Sequence, residues 1–143
     1  MLELLKISEA MSIALHTCVW LANDSGKFQS ARRISAELGF SLHHSAKVVQ
    51  QLVKAGLLET ERGPAGGARL ARPSAKITLF EIYVATDGLP VQSGCLLKNA
   101  VCCGNTCVLG RRLSKENAQR ITFFKKQTIR SIARSLKRTA DKL

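Results

Sequence analysis

Ser30 and Gly39, then Ser41 and Gly56, bracket two short stretches in direct succession. A serine hydroxyl can accept a backbone N–H at the start of a helix, and glycine supplies the left-handed residue on which a helix commonly stops. The first bracket is expected to form a helix running through Ile34 and Leu38, and Leu42, Val48, Val49, Leu52 and Ala55 in the second recur at helical spacing and are expected to face a core. Two short helices joined by a glycine-containing turn predict a helix-turn-helix. A preceding helix is predicted from Leu4 to Ala22, where Met11, Leu15, Cys18 and Leu21 or Ala22 recur at three- and four-residue steps until Asn23-Asp24-Ser25-Gly26 ends the pattern.

After Gly56 the period changes. Residues 57–62 and 68–71 are short runs flanking Gly63-Pro64-Ala65-Gly66-Gly67, whose glycines permit positive φ, so a β-hairpin is predicted and, following a helix-turn-helix, it reads as a wing. A helix beginning near Thr78 carries Leu79, Phe80, Ile82, Tyr83 and Val84 back onto the core. Residues 86–110 hold four of the ten glycines and are expected to be a loop. From Ser114 onward Ala118, Ile121, Phe124, Thr128, Ile132 and Leu136 keep helical spacing over about thirty residues without Pro or Gly, which predicts one helix about 45 Å long whose narrow apolar stripe wants a partner. The fold class is therefore mainly α with a small β-hairpin wing. Its expected divisions are a winged helix-turn-helix over 1–85, a cysteine-bearing loop over 86–110 and a dimerisation helix over 111–143.

A chain of 143 residues buries about 68–70% of its unfolded surface, so neither a metal nor disulfides are needed merely to fold. No apolar run approaches the roughly 18 residues that span a bilayer, and Glu3, Lys6 and Glu9 interrupt the amino-terminal apolar positions, so no membrane span or secretion signal is expected and the location is read as cytoplasmic. Lys and Arg number 22 against 10 Asp and Glu. Residues 111–143 hold 11 basic and 2 acidic side chains, so the positive field concentrates at that end and acidic polymers become plausible partners. Four of the five cysteines, Cys95, Cys102, Cys103 and Cys107, fall within thirteen residues. In a reducing compartment so tight a cluster points to a metal or redox site, whereas Cys18, on an apolar stripe, is expected in the core. No triad, paired-carboxylate or phosphate-loop pattern is visible, so neither an enzyme nor a small-molecule substrate is expected.

The segment from Gly56 to Ile82, GLLETERGPAGGARLARPSAKITLFEI, resembles the wing and following helix of the Rrf-type winged-helix transcriptional regulators, whose iron-sulfur group is IscR- and NsrR-like. The resemblance is carried by Arg62, Gly63, Pro64, Gly66, Gly67, Leu70, Pro73, Ile77, Thr78 and Leu79, and upstream by Ile34, Leu38, Gly39, Ser41 and Leu52. It implies a homodimeric DNA-binding repressor or activator whose loop cysteines hold an iron-sulfur cluster, [2Fe-2S] or [4Fe-4S], reporting iron, redox state or nitric oxide. Some relatives lack the cysteines, so a zinc site or thiol switch stays open, as does a winged-helix protein-binding module in which Arg130, Arg134, Lys137 and Arg138 meet an acidic protein.

If the third helix enters the major groove of a palindromic double-stranded operator, Ser41, His43, Lys47 and Gln50, with Gln51, are candidate readers of base edges. Ala46 stands where related cluster-bearing regulators often carry Glu. Arg62, with Gly63 and Gly66 beside it, resembles the wing residue that lies in the minor groove. Arg32, Arg33 and Lys54 are expected at phosphates or in solvent. Cys95, Cys102 or Cys103, and Cys107 are the candidate cluster ligands, spaced C-x6-C-C-x3-C. Several relatives place a His three residues beyond the last cysteine, where this chain has Gly110, so the fourth donor is either the second cysteine of the Cys102-Cys103 pair or His16, supplied by the opposite protomer.

Overall fold

A computed structural model of the chain describes residues 7–24, 26–90 and 107–140, with side chains through 136. The elements in order are α1 (Glu9–Asn23), α2 (Ala31–Leu38), α3 (Leu42–Lys54), β1 (Leu58–Glu61), β2 (Gly67–Leu70), a 3-10 turn (Ser74–Lys76), α4 (Leu79–Asp87), α5 (Val108–Lys126) and α6 (Ile129–Ala140). Helix α1 lies at the centre, packed by α3, α4 and α6. Its apolar residues accordingly extend around much of its circumference: Met11, Ile13, Ala14, Cys18, Val19 and Leu21 are all buried. Ile34, Val48, Leu52, Leu57, Ile77, Ile82 and Ile129 close the core around it. No helix among the described residues is long and apolar enough to cross a membrane.

Serine caps set the helix starts. Ser8, Ser30 and Ser41 each accept an N–H in the first turn, from Met11, Arg33 and His44 respectively. Gly39 adopts φ +70°, ψ +21° and so turns the chain sharply between α2 and α3, a conformation costly for any residue with a Cβ. Within α3 the buried residues Ser45, Val48, Val49 and Leu52 form one arc. Leu42 and Ala55, expected in the core, are instead exposed. At 100° per residue each lies about 70° from the centre of that arc, and at opposite ends of the helix.

Strands β1 and β2 pair antiparallel, with Leu58 opposite Leu70 and Glu61 opposite Gly67. Gln29, just before α2, adds a third rung by exchanging two backbone hydrogen bonds with Ala68, at 2.9 and 2.8 Å. Gly67 makes that approach possible: its φ is +143°, and a Cβ there would run into the Gln29 carbonyl. Arg69 fastens the hairpin on the other side, 2.5 Å from the Glu59 carboxylate and with its guanidinium 4.3 Å from the Phe28 ring centre. Thr78 starts α4 with a capping box, in which its hydroxyl accepts from the Glu81 N–H and the Glu81 carboxylate accepts from the Thr78 N–H. Partial burial raises the Glu81 carboxyl, but the Thr78 N–H and the Arg72 guanidinium, 2.9 Å away, overbalance it and hold the group below its ordinary value.

The carboxy-terminal stretch is two helices rather than the single long one expected. At the junction Thr128 Oγ1 accepts from the Ser131 N–H at 3.2 Å, and Ser131 Oγ accepts from the Thr128 N–H at 3.1 Å. Backbone groups that would have continued the helix bond elsewhere: Leu79 N–H donates to the Gln127 carbonyl and Ile129 N–H to the Ile77 carbonyl, both at 2.9 Å. Helix α6 therefore turns back onto α1 and the 3-10 turn, burying Ile129 and Ala133. Both ends of the loop expected over 86–110 are helical, since α4 runs through Asp87 and α5 begins at Val108, and residues 91–106 lie outside the described residues.

Candidate nucleic-acid interface

Helix α3 presents a polar face opposite its buried arc. His43, Lys47 and Gln50 are exposed and stand at i, i+4 and i+7, one above another along the helix, and α3 contains no acidic residue. Ser41 is exposed, but its hydroxyl already serves as the cap of α3, 3.2 Å from the His44 N–H. Gln51 is half-buried and turns toward α1, where it lines a cleft with Glu9, Ala10, Ile13, His44, Lys47 and Val48. His44 Nδ1 lies 3.6 Å from the Glu9 carboxylate. That contact ties the first turn of α3 to the first turn of α1, and sequence spacing gives no sign of it because the two residues lie on separate helices.

At the wing tip Arg62, Gly63, Pro64 and Ala65 are exposed, and the Gly66 N–H closes the turn on the Gly63 carbonyl at 3.0 Å. Arg32, Arg33 and Lys54 are exposed as well, with Arg33 5.8 Å from the Trp20 ring centre. The structure thus offers a helix whose outer face is cationic and amide-bearing, and a hairpin whose tip carries a guanidinium with no ion-pair partner among the described residues. A helix of this kind fits the major groove, and an arginine on a narrow hairpin fits the minor groove.

Of the cysteines, Cys95, Cys102 and Cys103 lie outside the described residues. Cys107 is half-buried at the N-cap of α5, where its Sγ accepts the Gly110 N–H at 3.3 Å. Sequence reasoning assigned Cys107 to the loop and missed this cap, a role ordinarily filled by Ser, Thr, Asp or Asn. Gly110, in the first turn of α5, is buried. His16 is exposed on α1, its Nδ1 donating to the Ser12 carbonyl at 2.7 Å and its ring edge toward Phe40. Cys18 is fully buried, and burial pushes its thiol up to about 12, so it is a core residue rather than a donor. Among the described residues no group of three or more His, Cys, Asp and Glu is placed to hold a metal ion.

Known proteins share this architecture. NsrR of Geobacillus kaustophilus is 31% identical over 106 residues, covering 73% of this chain and 69% of that protein. IscR of Vibrio cholerae is 35% identical over 91 residues, covering 64% of this chain and 52% of its own length, so the match spans about half of that relative. The solved structure of CymR, the global cysteine regulator of B. subtilis, superposes with a TM-score of 0.77 over 92% of this chain and 98% of that one, at 22% identity, a likeness of fold. The family profile described as Rrf2, iron-dependent transcriptional regulator, matches residues 7–135. With nearly its whole length inside that profile, and a wing set behind a cationic helix-turn-helix, the chain belongs to the Rrf2 family of transcriptional regulators.

Proposed function

We propose that the chain is a cytoplasmic, homodimeric repressor that binds a palindromic operator and is controlled by an iron-sulfur cluster, [2Fe-2S] or [4Fe-4S], held by its cysteine segment. The observation that carries the reading is Cys107 at the head of α5. Its sulfur receives a backbone N–H and faces the positive end of a helix, surroundings that suit a metal-bound thiolate, and three further cysteines precede it by four, five and twelve residues. The donor set fits the group: Cys95, Cys102 or Cys103, and Cys107 supply thiolates, and the remaining donor is the other member of the Cys102-Cys103 pair or His16 of the opposite protomer. His16 has the capacity, because Nδ1 is committed to the Ser12 carbonyl while Nε2 has no partner among the described residues. When bound, such a cluster supplies electron exchange and sensitivity to iron supply, redox state and nitric oxide.

The chain's own residues link that segment to DNA. The four clustered cysteines lie between α4 and α5 in the sequence, and these two helices pack together, Tyr83 meeting Phe124 edge to face with ring centres 5.8 Å apart. Helix α4 in turn packs on α1 and α3. A change in the segment is therefore passed through α4, which packs directly on the recognition helix. Two such helices must lie about 34–36 Å apart to read successive major grooves, so a small displacement changes operator affinity. In the duplex His43, Lys47 and Gln50 face base edges, Ser41 fixes the start of the helix, and Arg62 with Gly63 and Gly66 follows the minor groove.

Anaerobic purification followed by absorption spectroscopy and iron analysis tests the cofactor. Coloured, iron-containing protein is expected, with iron lost in Cys95→Ala and Cys107→Ala, and lost in His16→Ala if the fourth donor crosses between protomers. Colourless protein containing zinc would retire the cluster in favour of a zinc or thiol switch. Binding that is salt-sensitive yet equal on operator and random DNA would point instead to a winged-helix module without specific DNA binding.

A further inference from the structure

We infer that Leu42 is a specificity-determining residue that reads the C5-methyl group of a thymine, an inference that rests on α3 as the major-groove helix and names a base preference for it. Leu42 is the first residue of α3, next to the Ser41 cap, and is 45% exposed. At 100° per residue Leu42, Ala46 and Gln50 step round the helix by about 40° from one to the next, and so form one ridge along it. His43 and Lys47 stand beside that ridge, about 100° and 140° round from Leu42. Ala46 is half-buried and the other four are exposed. The outer face of α3 therefore has an apolar edge at its amino-terminal end, which runs into the Gln50 amide and lies alongside the two cationic or polar side chains.

The core does not account for Leu42. The buried arc of Ser45, Val48, Val49 and Leu52 is centred about 70° away, on the side opposite the ridge. Capping does not account for it either, because the Ser41 hydroxyl already takes the His44 N–H. The chemistry of the groove does. Base edges there present hydrogen-bond donors and acceptors, and the apolar group among them is the thymine methyl. A leucine pressed on any other edge would take water from a donor or acceptor and return no hydrogen bond, whereas against a methyl it removes apolar surface from water on both sides. The rest of the ridge agrees. Ala46 adds a short apolar surface one turn on, Gln50 has the paired donor and acceptor that suit adenine, and α3 carries no carboxylate to accept from a cytosine N4 amine. The ridge as a whole thus favours A·T pairs, with Leu42 fixing the strand on which one thymine lies.

The test uses the full-length protein and an operator selected from a random duplex pool, with each thymine replaced singly by deoxyuridine. That change deletes the methyl and keeps both the base pairing and the minor-groove edge that Arg62 meets. Competition anisotropy with the wild-type protein, which needs no variant to fold, should show a loss of about fourfold at one thymine of a half-site, the effect of burying one methyl-sized group. Leu42→Ala should bind the thymine operator about fourfold more weakly and become indifferent to deoxyuridine at that position, with its affinity for random duplex at the wild-type value as the sign that it is folded. Selective binding that ignores every deoxyuridine would overturn the methyl contact and leave α3 as the reading helix. Deoxyuridine sensitivity that persists in Leu42→Ala would overturn the assignment to Leu42. A pool that yields no preferred sequence would overturn the inference together with the major-groove reading beneath it.

Discussion

Burial of Cys18 in the core that holds Met11, Ala14 and Leu21 governs its ionisation. Its ionisation is pushed from about 9.0 to about 12, so the folded chain holds the neutral form. The unfolded chain loses the proton first as pH rises, and the stability tied to Cys18 is therefore complete below about pH 9 and declines from there toward 12. In native protein at pH 8 a maleimide should leave Cys18 unmodified, and unfolding should expose it; mass spectrometry of the modified peptide checks this, and rapid native labelling of Cys18 would contradict its place in the core. At this scale the sequence was legible wherever one residue has one local job. Ser30 and Ser41 as caps, Gly39 as the turn, Thr78 near the start of α4 and Cys18 in the core all follow from local chemistry. The contacts that need a distant partner, His44 with Glu9 and Arg69 with Phe28, did not.

Among the elements, the helix-turn-helix and hairpin were readable because their breaks are written in glycine and serine, and the break between α5 and α6 was not. Phe124, Thr128 and Ile132 keep helical spacing straight through it. What ends α5 is a tertiary exchange of backbone bonds with residues 77 and 79, sealed by the reciprocal Thr128 and Ser131 cap. Thr128→Ala/Ser131→Ala should therefore lower unfolding free energy by about 1–2 kcal/mol in urea titrations, an effect expected of a lost cap and absent if the two helices were one. Helix α3 makes a second prediction. Gln50→Ala should cost about 1–3 kcal/mol of discrimination at one operator position, whereas Lys54→Ala should weaken all sequences alike and lower the salt slope by about one. Competition anisotropy with single-base operator variants separates the two, and a uniform loss for Gln50→Ala would remove it from base reading.

For the whole molecule, composition concentrated positive charge beyond residue 111, and the described structure spreads that charge over two helices with different neighbours: α5 against α4, α6 against α1. Helix α5 leaves Val108 and Phe123 exposed and borders an apolar groove with Ile7, Met11, Leu15 and Leu79, a surface that suits the second protomer of the proposed dimer. Phe123→Asp should then shift the protein toward monomer in sedimentation velocity. The cysteine segment was legible as chemistry, through four thiols in thirteen residues, and not as geometry, because spacing does not state which sulfurs converge. Cluster control of DNA binding is most directly tested by titrating an operator selected from a random duplex pool with anaerobically prepared protein, before and after chelator treatment, alongside Cys107→Ala. A change in affinity of about tenfold or more on cluster removal, reproduced by the variant without treatment, is expected. Equal affinity in all three preparations would contradict the account.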